Sequence, residues 1–136
     1  MKKSTLVALS LLMIPTAIAC NIPWQKCWHG QTLQGQQCTG EVVLLSAFDA
    51  KQMLQDDPNL RLPTRVELEM FFMGSHVAPL REHAHRIQKF QVLTSDFMQH
   101  GNEFLATTVD IRNGRVELIP WREPTLVILR KTNTSP

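Results

Sequence analysis

Net charge is scarce in this sequence. Its 136 residues carry 14 Lys and Arg against 12 Asp and Glu, and two of the basic ones, Lys2 and Lys3, stand beside the first methionine. Without that pair the signs balance, so the electrostatic footprint of a nucleic-acid binder is missing. Long apolar runs are missing too. The stretch Leu6 to Ile14 is broken by Ser10 and falls well short of the roughly 20 residues that span a bilayer. There is no Gly-rich phosphate loop and no zinc-hydrolase motif. Ser46 and Thr64 stand where helix caps belong, and Glu67 and Glu69, two apart on one helix, point in different directions. No catalytic constellation follows from these residues, and neither a cofactor nor a metal is expected. His83 and His85 would share a face only on a strand, where with His76 they would make a sparse metal set. A solvated loop or short helix accounts for them better.

What is present begins with an export signal. Lys2 and Lys3, the short apolar run, Pro15, and Ala17-Ile18-Ala19 before Cys20 have the three-part pattern of a leader covering 1–19. Two processing outcomes fit this bond. The small residues suit ordinary signal peptidase, and Ala17-Ile18-Ala19-Cys20 is similar to a bacterial lipobox. Three cysteines in an exported chain leave one over. Cys27 and Cys38 close a short polar loop, so Cys20 is the odd one, at the position a lipid would take. The expectation is lipidation at Cys20, with a soluble periplasmic or secreted protein as the alternative. Asn21, rather than an aspartate, after the cysteine points to the outer membrane.

The rest, 20–136, has room for one domain with a modest core. Residues Asn21 to Gly40 are too polar to pack themselves, and a Cys27–Cys38 disulfide compensates. The spacing of the two cysteines does not suit a zinc site. Ser46 with Asp49 predicts a helix to about Gln55, with Ala47, Ala50 and Leu54 on one narrow face and Phe48 and Met53 widening it. Next, Arg61-Leu62-Pro63-Thr64 is a stiff extended entry, and Thr64 with Glu67 forms a capping box for a helix running to about Met73 and stopped at Gly74. Leu68, Phe71 and Phe72 give that helix an aromatic face that something must cover.

The last third reads as β. Strands are expected over Phe90 to Ser95 and Phe104 to Ile111, then a hairpin at Asn113-Gly114, a return through Val116 and Leu118, and a buried closing strand over Thr125 to Arg130. Thr132 to Pro136 should be a loose tail.

Several of these pieces in order resemble one family. Trp24-x-x-Cys27-x-x-Gly30-Gln31-Thr32-x-x-Gly35-x-x-Cys38-Thr39-Gly40, the Ala47-x-x-Ala50 helix, Arg61-Leu62-Pro63-Thr64-x-x-Glu67-Leu68, Asp110-x-x-Asn113-Gly114-x-Val116 and Val127-x-Leu129-Arg130 are similar to the DUF1566 domain, also called the C-terminal domain of the Legionella collagen-like adhesin. The resemblance implies an α+β, C-type-lectin-like fold: two helices packed on a small, mostly antiparallel sheet with long loops. It also implies a bacterial surface protein, with sulfated glycans as a class of ligand. Leu33, Leu60 and Val92 to Ser95 replace aromatic positions of the family, and exposed aromatics are the usual platform for sugars. The expectation therefore moves toward a noncatalytic envelope lipoprotein module, an accessory protein that binds another envelope protein in a surface or secretion apparatus. An adhesin-like domain for glycan or extracellular matrix is the first alternative, and an enzyme the second. Arg81, Arg86 and Lys89 offer a possible anion patch, and Trp121 with Arg122 a possible aromatic contact; their plainer readings are a solvated face and a ring sealing the core.

Overall fold

The computed structural model describes residues 24–132. The expected leader, Cys20 and the tail beyond Thr132 lie outside them. In chain order the elements are β1 (Thr32–Gln34), β2 (Gln37–Thr39), α1 (Ala47–Gln55), β3 (Leu60–Arg61), α2 (Arg65–Phe71), a 3-10 turn (Ser75–Val77), α3 (Ala78–Ile87), β4 (Gln91–His100), β5 (Glu103–Asp110), β6 (Val116–Pro120) and β7 (Arg130–Lys131). The class is α+β, and every paired strand is antiparallel: β1 with β2, β3 with β7, and a three-stranded sheet β4-β5-β6.

The apolar run before β7 holds the molecule together. Residues Thr125 to Arg130 are all buried. Their backbone bonds in turn to Leu45, to Gln91 and Leu93, to His29 and to Gln25. Because side chains alternate along an extended chain, Leu126 and Ile128 fall into one core and Val127 and Leu129 into another. The expected closing strand is therefore a buried extended spine; only Arg130 and Lys131 pair as a regular strand, because its neighbours change from residue to residue.

The first core holds Trp28, the aromatic face of α2 (Leu68, Phe71, Phe72), Leu80 and Ala84 of α3, and Val92 and Val109 of the sheet. The second packs the Ala47 and Ala50 face of α1 against Leu93, Ala106 and Ile119. The small residues let α1 lie close to the sheet, as its sequence predicts.

Both predicted helix starts are present. The Ser46 side chain accepts from the Asp49 amide, and at Thr64 the full capping box forms. Thr64→Ala should lower stability by about 1 kcal/mol, read as a shift of the urea midpoint at unchanged slope. A Thr64→Ala variant of normal stability would remove the cap from the fold's supports. Helix α2 ends at Phe71 rather than Met73, with Phe72 as its cap.

The expectation of two helices is corrected by a third. Its first turn contains Pro79, where the missing N–H has no partner to lose. Val77, Leu80 and Ala84 line its buried side, and Gln88 ends it in the left-handed conformation at φ 56°. The expected short polar loop between Cys27 and Cys38 contains the β1-β2 hairpin, turned at Gly35 with φ +64°. Strand β4 continues beyond Ser95 through a bulge between Leu93 and Phe97. There Thr94 Oγ1 donates to Thr107 O and accepts from the Asp96 amide, and the Ser95 amide donates to Pro63 O. Those bonds explain why alternation lapses without ending the strand. Thr132 is also held, its hydroxyl donating to Pro58 O at 3.1 Å.

The disulfide joins Cys27 to Cys38 with Cα atoms 5.5 Å apart. Cys38 pairs with Leu33 across the hairpin, so the bridge ties β2 back to the segment carrying Trp24 and Trp28.

Candidate functional site

Strand β6 ends at Pro120, and the next residue, Trp121, gathers the aromatic residues of three elements. Its amide donates to Phe104 O at 3.1 Å, and its carbonyl accepts from the Phe48 amide at 3.2 Å. Ring centroids lie 5.4 Å from Phe104, 5.5 Å from Phe97 and 6.0 Å from Phe48. Two cations sit on this cluster. Lys51 Nζ lies 5.6 Å from the Phe97 centroid and 5.7 Å from that of Trp121, and the Arg122 guanidinium lies 4.5 Å from Phe48. Cation–π attraction of this kind holds the charges in place over the rings. Trp121 itself is half-buried and seals the second core, whereas Phe104 stays 51% exposed. An open cleft of about 520 Å³ runs between Phe48, Glu103, Phe104, Leu105, Pro120, Trp121 and Arg122. The arrangement offers an apolar, aromatic surface with Lys51 and Arg122 held over its rings and Glu103 at its edge.

The expected patch of Arg81, Arg86 and Lys89 does not form. Arg81 is half-buried, donates to Phe72 O and to Ile111 O, and so joins the end of α2 to the end of β5. Arg86 is exposed and pairs with Glu82 one turn earlier on α3. Lys89 lines a separate cleft of about 560 Å³ that also carries Asp110, Arg112, Glu117 and Glu123. Mixed charge there gives no preference for anions. Burial of Arg81 follows from the helix that the sequence left undefined: placed on α3, its long side chain reaches back across Phe72.

The imidazoles disperse as well. His76 lies edge-on to Phe71 at 4.9 Å and His85 edge-on to Phe90 at 5.0 Å. Among the described residues no three His, Cys, Asp or Glu side chains come together as a metal site.

Glu67 does more than cap. Its Oε1 accepts from the Thr64 amide at 2.9 Å and from Arg61 Nη1 at 2.8 Å; Oε2 accepts from Arg61 Nη2 at 2.7 Å and from Arg130 Nη1. Arg130 is only 4% exposed and lies 4.7 Å over the Trp24 ring. The bidentate bond from Arg61, assisted by the Thr64 amide and the Arg130 charge, holds the Glu67 carboxyl at a pKa of about 2 against the opposing effect of burial. Burial pulls the Arg130 guanidinium below its ordinary value, while Glu67 opposes that change. This cluster is structural: it pins α2 to the β3-β7 pair. The sequence signal was an arginine closing a buried apolar run, which demands a carboxylate.

The residues that the sequence reading missed around Trp121 are Lys51, Phe97 and Phe104; Phe48 was read only as widening α1. Alternation on β4 and β5 was the available signal, obscured by the bulge. Comparison with family models, with curated proteins and with solved structures finds no match to this chain.

Proposed function

We propose that this chain is a noncatalytic module of the bacterial envelope, tethered to the outer membrane through a lipid on Cys20, that serves a surface or secretion apparatus by binding another envelope protein. The observation that carries the binding half is the Trp121 face. An exposed Phe104 beside a half-buried Trp121, with Lys51 and Arg122 stacked on neighbouring rings, has the aromatic and arginine composition of an interaction hot spot. The membrane half rests on the leader pattern and on the one cysteine left over by the Cys27–Cys38 bridge. The DUF1566 resemblance supports a surface location, and three helices against small antiparallel sheets are compatible with a C-type-lectin-like arrangement in a single domain.

A second reading, adhesion to sulfated glycans or matrix, draws on the same face, since aromatic platforms edged by cations suit sugars that carry sulfate. The tests separate the two. A photoreactive residue at position 104 in the native envelope should crosslink to one protein, and Arg122→Glu should abolish that product. Binding to sulfated glycans on an array, weakened by salt and by Arg122→Glu, with no crosslinked protein, would replace the first reading by the second. For the tether, wild type should fractionate with membranes and Cys20→Ala with the soluble periplasm. A wild-type mass without acyl groups overturns the lipoprotein assignment.

A further inference from the structure

Another cleft lies between the disulfide hairpin and the junction of α2 with α3. Its volume is about 620 Å³, within the span of roughly 300–1,000 Å³ usual for small-molecule sites. It shares no lining residue with the cleft at Trp121. We infer that it is a binding site for a small amphipathic anion, a planar apolar body carrying one acidic group.

The apolar part of that inference comes from the walls. Trp24 stacks on Phe71 with centroids 4.2 Å apart, and Leu80 and Pro79 continue the surface from α3. The opposite wall is the β1-β2 hairpin, where Leu33 stands 44% exposed beside Gly35 and Gln36. An apolar side chain exposed beside a cleft gains free energy when a ligand covers it. Both walls are fixed in advance, one by the Cys27–Cys38 bridge, the other by the stacking of Trp24 with Phe71 and with the Arg130 guanidinium. Preformed walls reduce the ordering cost of binding.

The acidic part comes from charge. Lys26 lines the cleft, and among the described residues no Asp or Glu does. Next to the Trp24 wall, Arg61 and Arg130 share the single carboxylate of Glu67, which leaves an excess positive charge. The buried Arg130 Nε has no hydrogen-bond partner among the described residues. A field of this sign favours an anion over a neutral molecule of the same shape.

Two fluorescent probes of nearly the same shape test the assignment on the folded, disulfide-bonded protein: anilinonaphthalene sulfonate, and phenylnaphthylamine, which lacks the sulfonate. The sulfonate should bind one molecule per chain, more tightly than the neutral probe, and weaken with salt. Lys26→Glu, at an exposed position, should weaken the sulfonate by about fivefold or more and leave the neutral probe unchanged. Leu33→Trp, which narrows the cleft from the hairpin side, should weaken both. Arg122→Glu should affect neither, which separates this site from the Trp121 face. Equal affinity for the two probes, indifference of the sulfonate to Lys26→Glu, or a loss caused by Arg122→Glu would each overturn the proposal.

Discussion

Glu67→Gln is expected to destabilise the protein by about 3 kcal/mol. Breaking a buried ion pair from one side costs roughly 3–5 kcal/mol, because the remaining charge stays buried without its partner. The lower end applies here: the Arg130 side chain is 5% exposed, but that of Glu67 is 22% exposed and water reaches it. Glutamine still offers an oxygen to the Thr64 amide, so the helix cap survives and the loss reports the charge. Arg130→Met should cost less than Glu67→Gln, since it removes the buried charge itself and leaves the Arg61–Glu67 pair in place. Equal losses in the two variants would contradict this account.

The same carboxylate sets a pH dependence whose sign is fixed. Its folded pKa is pushed down from 4.5 to about 2. A carboxyl that binds its proton less readily when folded stabilises the protein above the unfolded value, and that contribution is lost as pH falls from about 4.5 through about 2. Urea midpoints measured across that window should fall steeply for wild type and less so for Glu67→Gln. Parallel curves would mean that Glu67 does not carry the acid sensitivity. Asp110 contributes in the same direction, its carboxyl held low chiefly by hydrogen bonds from the Arg112 side chain, and this residual slope should persist in both proteins.

The second large effect is expected from Cys27→Ser. The bridge spans a separation of 11 residues, a loop whose closure removes unfolded-chain entropy worth around 3 kcal/mol. Removing a native disulfide from a small domain typically costs about 2–5 kcal/mol. Cys27 is also buried, so its replacement places a hydroxyl against the core. Less folded protein should be recovered, and its thermal midpoint should fall. In wild type, thiol labelling under denaturing, nonreducing conditions should tag neither Cys27 nor Cys38; tagging of both would show that the bridge is not formed.

These two effects differ in how far the sequence reveals them. The disulfide was legible because both cysteines lie within one short polar loop and the third stands at the end of the expected leader. Ser46 with Asp49, Thr64 with Glu67, and the Asn113-Gly114 hairpin were legible for the same reason: each is a local arrangement whose hydrogen bonds join residues a few positions apart. The aromatic face of α2 was readable from spacing alone, since a helix places Leu68, Phe71 and Phe72 together wherever it packs.

What the sequence by itself determined, then, is where elements start, which faces are apolar and which loop is stapled. Only the tertiary structure decided that Glu67 would meet Arg130, 63 positions later. It also set Arg81 against carbonyls at the ends of two different elements. The Trp121 cluster arises the same way, from α1, β4, β5 and the end of β6. Helix α3 was legible only as a solvated loop or short helix, because Pro79 and its histidines conceal a short period carried by only Val77, Leu80 and Ala84. The physical reason is common to all of these. A cap or a turn is set by torsion angles and bonds within a few residues, whereas partners across the fold meet only after the Thr125 to Arg130 spine has brought both cores together.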